Sequence, residues 1–78
     1  MGFSISVLST YKPNSVVASA EATIEVIGTA TCDEVIDAGL AALHEPRSSL
    51  FGYGIRDGFD RQRQTVTDAV VVVYANRD

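Results

Sequence analysis

The fold of this chain is decided by residues 31–46, which read Thr31-Cys-Asp-Glu-Val-Ile-Asp-Ala-Gly-Leu-Ala-Ala-Leu-His-Glu-Pro46. Thr31 and Glu34 have the spacing of a capping box, in which each side chain satisfies a free backbone donor at the start of a helix. Apolar residues then recur at helical spacing and form one stripe, Ile36, Leu40 and Leu43. Pro46 cannot continue a helix, so the stretch predicts one helix with a single buried face.

Two strands are predicted before this helix. Residues 3–9 alternate between apolar side chains and mostly serine, which is typical of a half-buried strand. Residues 16–27 alternate as well, and their β-branched residues favour a second strand. A helix over residues 16–28 stays open as an alternative, because four apolar residues there also have helical spacing: Val17, Ala20, Ile24 and Ile27.

Two further strands are predicted after the helix. Residues 51–56 alternate large side chains with Gly52, Gly54 and Arg56, so one face of that strand is almost bare. Asp57-Gly58 predicts a turn, and the polar residues 60–64 are expected to form a projecting arm. Residues 66–75 are apolar on both faces, which predicts a strand in the centre of the sheet or one covered by a partner subunit.

These elements predict an α+β fold in a single domain, residues 1–78, with one helix packed on a four-stranded antiparallel sheet in the order β-β-α-β-β. A chain of this length buries only about 60 to 65% of the surface that its unfolded form exposes, so its stability margin is small. Cys32 is the only cysteine, and no cluster of histidine and cysteine could hold a structural zinc. Because 46% of the residues are hydrophobic, we expect a homo-oligomer.

The overall charge argues against two classes of partner. Six basic and ten acidic residues give a net charge of −4, whereas nucleic acids and anionic membranes attract clustered lysine and arginine. No apolar run approaches the roughly 18 residues that span a bilayer. The first residues also lack the basic segment of a secretory signal. We therefore expect a cytoplasmic protein with no membrane partner and no general affinity for nucleic acid.

The best candidate for a binding site is the segment 47–64, which holds four of the six basic residues and three of the six aromatic residues. Guanidinium groups suit carboxylate or phosphate, and aromatic faces stack on flat rings. The predicted ligand-binding residues are Arg47, Phe51, Tyr53, Arg56, Arg61 and Arg63. The alternative is a twisted hairpin whose aromatic residues pack in the core and whose arginines face solvent or pair with acids.

Catalytic and metal-binding constellations are weak in this sequence. Cys32 is predicted at the helix start, where the helix dipole lowers a thiol pKa. His44 would lie at the other end of that helix, about 18 Å away, so a Cys-His pair could form only between subunits. Asp33 and Asp37 share a helix face and could approach a hard cation, but the dipole alone explains acids at that position. We predict no enzyme activity and no metal site, and no cofactor can be named.

The stretch Glu25-Val-Ile-Gly-Thr-Ala-Thr31, followed by a helix with an acidic start and a long hairpin, resembles the dodecin family of small oligomeric flavin-binding proteins. The resemblance concerns the layout of residues 23–78. The chain lacks the tryptophan that stacks on flavin in that family, its predicted helix is shorter, and it has an additional N-terminal strand. The resemblance therefore implies only that a chain of this size can build a ligand site between subunits.

Two functional hypotheses follow. The first is a non-catalytic, homo-oligomeric binding protein for an anionic small molecule, with nucleotide-like compounds as one candidate class, which the arginine, aromatic and glycine hairpin holds between subunits. The alternative is a small acidic protein-protein interaction module or inhibitor, for example a phage-type antagonist of a host complex. That module would use an exposed sheet edge or an acidic surface formed by Glu21, Glu25, Asp33 and Asp37.

Overall fold

The computed structural model describes residues 2–12 and 19–76 and confirms an α+β fold with one helix on an antiparallel sheet. The strands are β1 (Phe3–Tyr11), β2 (Ser19–Thr31), β3 (Leu50–Ile55), β4 (Phe59–Asp60) and β5 (Thr65–Asn76). The α-helix α1 spans Cys32–Leu43, and a short 3₁₀ turn, Arg47–Ser49, precedes β3.

Strand β5 lies in the centre of the sheet, as its two apolar faces predict. It pairs with β2 on one side and with both β3 and β4 on the other. Strand β1 pairs with β2 and forms one edge of the sheet. Every pairing is antiparallel.

The prediction of four strands is wrong, because the edge strand beside β5 is divided and the sheet has five strands. The chain kinks at Gly58, whose φ of +75° lies in the left-handed region that suits glycine. The pair Asp57-Gly58 is therefore a kink within one sheet edge. Residues 61–64 reverse the chain instead of forming a projecting arm, and the Asp60 carboxylate holds this turn by accepting hydrogen bonds from the backbone N–H groups of Gln62 and Arg63.

The helical alternative for residues 16–28 is wrong from Ser19 onward, where β2 begins; residues 16–18 lie outside the described part of the chain. A strand is favoured because β2 pairs along both of its edges, with β1 and with β5. It also buries alternate side chains as the sequence pattern predicts: Ala20, Ala22, Ile24 and Val26.

The helix starts as the capping box predicts. The Thr31 hydroxyl accepts a hydrogen bond from the Glu34 backbone N–H at 3.1 Å, and a Glu34 carboxylate oxygen accepts one from the Thr31 backbone N–H at 2.9 Å. The helix ends at Leu43 because His44 adopts a left-handed conformation with a φ of 58°.

One face of the sheet, the covered face, packs against α1. Its buried side chains form a single core with the helix stripe Val35, Ile36, Leu40 and Leu43. Gly39 allows the helix to approach closely, since a Cβ atom built there would lie 2.7 Å from Val73 Cγ2. The predicted helix stripe is confirmed.

The other face of the sheet, the open face, lies on the side away from the helix. Strand alternation places on it, among others, residues from three strands: Glu21, Thr23, Glu25 and Ile27 of β2, Val70, Val72 and Tyr74 of β5, and Gly52 and Gly54 of β3. Val70 and Val72 are half-buried and Tyr74 is exposed. No helix within the described ranges has the length and apolar character needed to cross a membrane.

Candidate functional site

The six predicted ligand-binding residues lie in several places, and only some of them come together. Tyr53 and Arg63 line one cleft, which we call the helix-start cleft. Arg47 adjoins this cleft through an ion pair with Asp33. Arg56 lies on the open face, and Phe51 lines a different depression beside Pro46 and Leu50.

The helix-start cleft lies between the first turn of α1, strand β3 and the turn after β4. It has a volume of about 320 Å³ and is lined by Thr31, Cys32, Asp33, Ile36, Tyr53, Arg63 and Gln64. The Cys32 backbone N–H donates a 2.9 Å hydrogen bond to the Gln64 carbonyl and so holds the turn beside the helix start. This contact brings Arg63 next to Tyr53, although ten residues of sequence separate them.

One arginine, Arg47, binds two of the acids at this end of the helix. The Arg47 guanidinium donates one hydrogen bond to Asp33 at 2.9 Å and another to Asp37. The hydrogen bond to Asp33 raises the pKa of Arg47 most, and the hydrogen bond to Asp37 raises it further. The two carboxylates that could have approached a hard cation are therefore bound to an arginine. No group of three or more metal-ligating side chains occurs among residues 2–12 and 19–76.

Arg63 is the cation at the rim of the cleft. Its side chain is 82% exposed, and its Nε atom lies 3.9 Å from a carboxylate oxygen of Asp60, which is a loose ion pair. An exposed arginine with one loose partner keeps guanidinium donors for an incoming anion. Arg61 lies in the same turn, two residues away, and is exposed.

The pKa of the Cys32 thiol shifts in the direction opposite to the one that the helix dipole predicts. Burial, and secondarily the nearby charge of Asp33, raise the pKa of this thiol, whereas the helix dipole alone predicts a lowered value. The residue is 6% exposed. A thiol that is neutral at physiological pH is a poor nucleophile, so Cys32 contributes apolar surface to the cleft. His44 lies at the far end of α1, as predicted.

A second depression, the open-face groove, has a volume of about 300 Å³. It is lined by Gly54, Ile55, Arg56, Val70, Val72 and Tyr74. The sequence pattern indicates Arg56 as a binding residue but does not indicate Tyr74. The signal that could have identified Tyr74 is the apolar character of both faces of β5, combined with a pairing that sets Tyr74 opposite Gly52.

Large apolar side chains are unusually exposed for so small a protein. In the described part of the chain, nine of them keep more than a third of their surface in solvent: Phe3, Val7, Leu8, Tyr11, Ile27, Phe51, Tyr53, Phe59 and Tyr74. Four of them lie on β1, namely Phe3, Val7, Leu8 and Tyr11, and Ile27 and Tyr74 lie on the open face. Exposed apolar side chains that lie close together mark interaction sites in soluble proteins, and β1 alone carries four of the nine.

Comparisons with family models, curated proteins and solved structures find no match to this chain. Two features of its own geometry bear on its function, the helix-start cleft and the open face.

Proposed function

We propose that the protein is a non-catalytic, homo-oligomeric, cytoplasmic binding protein for an anionic, nucleotide-like small molecule. The observation that carries the proposal is the helix-start cleft, which has Tyr53 and Ile36 in its lining and Arg63 at its rim. An aromatic ring and an aliphatic side chain suit a flat heterocycle, and a guanidinium at the rim suits its phosphate.

The charges around the cleft support an anion more than a cation. Asp33 is the only acid in the lining, and its carboxylate is bound by Arg47. Arg63 and Arg61 belong to one turn, which Asp60 holds through two backbone hydrogen bonds. The turn therefore presents the Arg63 cation to the cleft, with Arg61 two residues away, without having to fold when the ligand binds, which lowers the entropic cost of binding.

The size of the cleft limits the ligand. A volume of about 320 Å³ is at the lower end of the range for small-molecule sites. The proposed site consists of Tyr53 and Arg63, supported by Arg61 and Arg47. Arg56 and Phe51 lie outside it. The homo-oligomeric part of the proposal is supported by the exposed apolar side chains.

Calorimetric titration with AMP, at low salt, tests the ligand site. Arg63→Gln should raise the Kd for AMP by about 10- to 100-fold, because one charge-assisted hydrogen bond contributes about 1.5 to 3 kcal/mol. Adenosine, which lacks the phosphate, should bind weakly to both proteins.

Arg56→Gln is the matched control, since it removes the same charge from the opposite face of the sheet. It should leave the Kd for AMP within about twofold. Equal affinities of Arg63→Gln and the wild type, or no binding of AMP, GMP or UMP at millimolar concentration, would refute the site.

A second candidate function is a protein-protein interaction module that docks through β1. Among residues 2–12 and 19–76, this strand pairs only with β2, and it exposes Phe3, Val7, Leu8 and Tyr11. An unpaired edge can receive a strand from a partner. In this case Leu8→Lys should abolish capture of a partner from a cell lysate, while Arg63→Gln should not. Of the predicted acidic surface, Glu21 and Glu25 lie on the open face, and Asp33 and Asp37 are bound by Arg47.

A further inference from the structure

The open face has the apolar β5 residues at its centre. The β2 residues Glu21, Thr23 and Glu25 on one flank are polar or acidic, whereas the β3 side on the other flank carries glycine and Arg56. We propose that the open face is the contact surface for a second copy of this chain, packed sheet against sheet about a two-fold axis that runs parallel to β5. This inference rests on the homo-oligomeric part of the proposed function. It does not depend on the ligand or on the helix-start cleft.

The strand register sets the open-face residues in three rows. Glu25 pairs with Val70, and the Arg56 backbone N–H donates a 3.2 Å hydrogen bond to the Val70 carbonyl, so one row runs from an acid through valine to an arginine. The next row is Thr23, Val72 and Gly54, and the third is Glu21, Tyr74 and Gly52. In every row the β2 residue is polar, the β5 residue is apolar, and the β3 side carries glycine or arginine.

The proposed two-fold axis lies between the two sheets and is parallel to β5. Rotation about it exchanges the β2 flank with the β3 flank and leaves the position of each residue along the strand direction unchanged. Each β5 side chain then faces the same residue of the second copy, and β2 of one copy lies over the β3 side of the other. Two-fold interfaces are self-complementary in this way, since residue i contacts j and j contacts i. Aligned sheets pack about 10 Å apart, which is the distance that interdigitating side chains fill.

The charges on the face match this arrangement. Glu25 of one copy lies opposite Arg56 of the other, and the symmetry makes the contact twice. Within the described part of the chain, neither side chain forms an ion pair or a hydrogen bond. Each therefore has its charge available for the second copy.

The shapes on the face match it as well. A Cβ atom built at Gly52 or Gly54 would meet nothing within 4 Å, so the space above both glycines is empty. The two-fold axis places Glu21 and Thr23 of the second copy over this space. The half-buried Val70 and Val72 and the exposed Tyr74 lose their remaining contact with water against their own counterparts. An unrelated partner would have to supply this same alternation, whereas a second copy already has it.

A charge swap tests the pairing. Sedimentation velocity and native mass spectrometry should show a dimer for the wild type. Glu25→Arg and Arg56→Glu should each raise the dimer Kd by at least about 100-fold, because two like-charge contacts replace two attractive ones. The double variant Glu25→Arg/Arg56→Glu should restore the dimer to within about tenfold of the wild-type Kd.

A glycine substitution tests the shape without threatening the fold. Gly54→Val adds a side chain where the monomer has open space, and valine suits a strand better than glycine. The monomer should therefore keep or raise its melting temperature while the dimer Kd rises at least about tenfold, since overpacked contacts are costly. Thr10→Val on β1, which pairs with Ala22 on the covered side, is the matched control and should leave the dimer unchanged.

Three results would overturn the inference. The first is a wild-type protein that stays monomeric at several hundred micromolar. The second is a dimer that survives Glu25→Arg and Gly54→Val, or that only Leu8→Lys disrupts, which would place the contact on β1. The third is a double variant that fails to restore the dimer. Binding of AMP is measured on the same variants, so loss of the dimer with AMP binding retained, or the reverse, separates this inference from the ligand site.

Discussion

The two faces of this one sheet are built from neighbouring residues of the same strands and yet have opposite environments. Val73 of β5 is fully buried under the helix, while Val72 beside it is half-buried and Tyr74 is exposed. On β2, Ile24 is fully buried and Ile27 is 52% exposed. The covered face uses its apolar residues to hold the fold together. The open face carries apolar residues whose contribution to the fold is small, so we infer that they serve a contact outside the monomer.

The largest expected difference between the faces comes from truncating isoleucine. Ile24→Ala should reduce the free energy of unfolding by about 2 to 5 kcal/mol, because it leaves a cavity in the core. Ile27→Ala, the same change on the same strand, should cost less than about 0.5 kcal/mol. Urea denaturation at low protein concentration measures both. Comparable losses would mean that the open face is packed in the monomer.

Replacing valine with threonine, which has nearly the same volume, compares the two faces at adjacent residues of β5, Val73 and Val72. Val73→Thr buries a hydroxyl among apolar side chains and should cost about 1 to 3 kcal/mol. Val72→Thr should change the free energy of unfolding of the monomer by less than about 0.5 kcal/mol, since water still reaches this half-buried residue. The check is chemical denaturation of both variants under dilute conditions. A large cost at Val72 alone would reverse the assignment of the two faces.

Replacing glycine with alanine should lower the stability of the monomer at Gly39 and raise it at Gly54. Gly39→Ala places a Cβ atom 2.7 Å from Val73 Cγ2. Such overpacking costs about 1 to 3 kcal/mol. The higher helix propensity of alanine offsets about 1 kcal/mol of this cost. Gly54→Ala meets no atom and should stabilise the monomer by about 0.4 to 1 kcal/mol, because the unfolded chain loses freedom. Thermal melts of the two variants should shift in opposite directions. A shared direction would contradict the close helix approach.

The smallest effect concerns Cys32, which lies at the margin of the covered face. Because burial shields the Cys32 thiol from reagent and raises its pKa, the thiol should react with a disulfide reagent at pH 8 more slowly in the folded protein than in urea. The ordinary thiol pKa is 9.0, and the folded value is higher. The stability that the neutral thiol contributes is therefore fully present below pH 9 and is lost as the pH rises through the folded pKa. Cys32→Ala should remove this loss, which alkaline denaturation curves can show.

Much of the fold could be predicted because local signals agree with the tertiary structure. The capping box at Thr31 and Glu34 fixes the helix start, and the alternation along β2 and β5 fixes which residues are buried. The divided edge was missed because Asp57-Gly58 is as good a signal for a kink as for a hairpin turn. Only the pairing of both β3 and β4 with β5 distinguishes the two.

The candidate site was predicted less well than the fold. Sequence proximity grouped Arg56 with Arg63, although strand alternation and the turn place them on opposite sides of the sheet. The partnership of Arg47 with Asp33 and Asp37 depends on the path of the chain after the helix, which no local pattern encodes. Cys32 was assigned the wrong direction of pKa shift, because the helix dipole can be read from the sequence and burial cannot.

The kink at Gly58 has a consequence for fibre formation. A Cβ atom at this residue would lie 2.0 Å from the Thr67 carbonyl oxygen, so the bend is fixed by close backbone contact. It divides the outer edge into a six-residue strand and a two-residue strand, and neither offers a long straight row of free peptide groups. Endless strand-by-strand polymerisation needs two compatible edges on every molecule. Among the described strands, β1 is the longer of the two sheet edges, so we expect strand addition between copies of this chain to favour β1 and amyloid-like growth through the native sheet to be disfavoured.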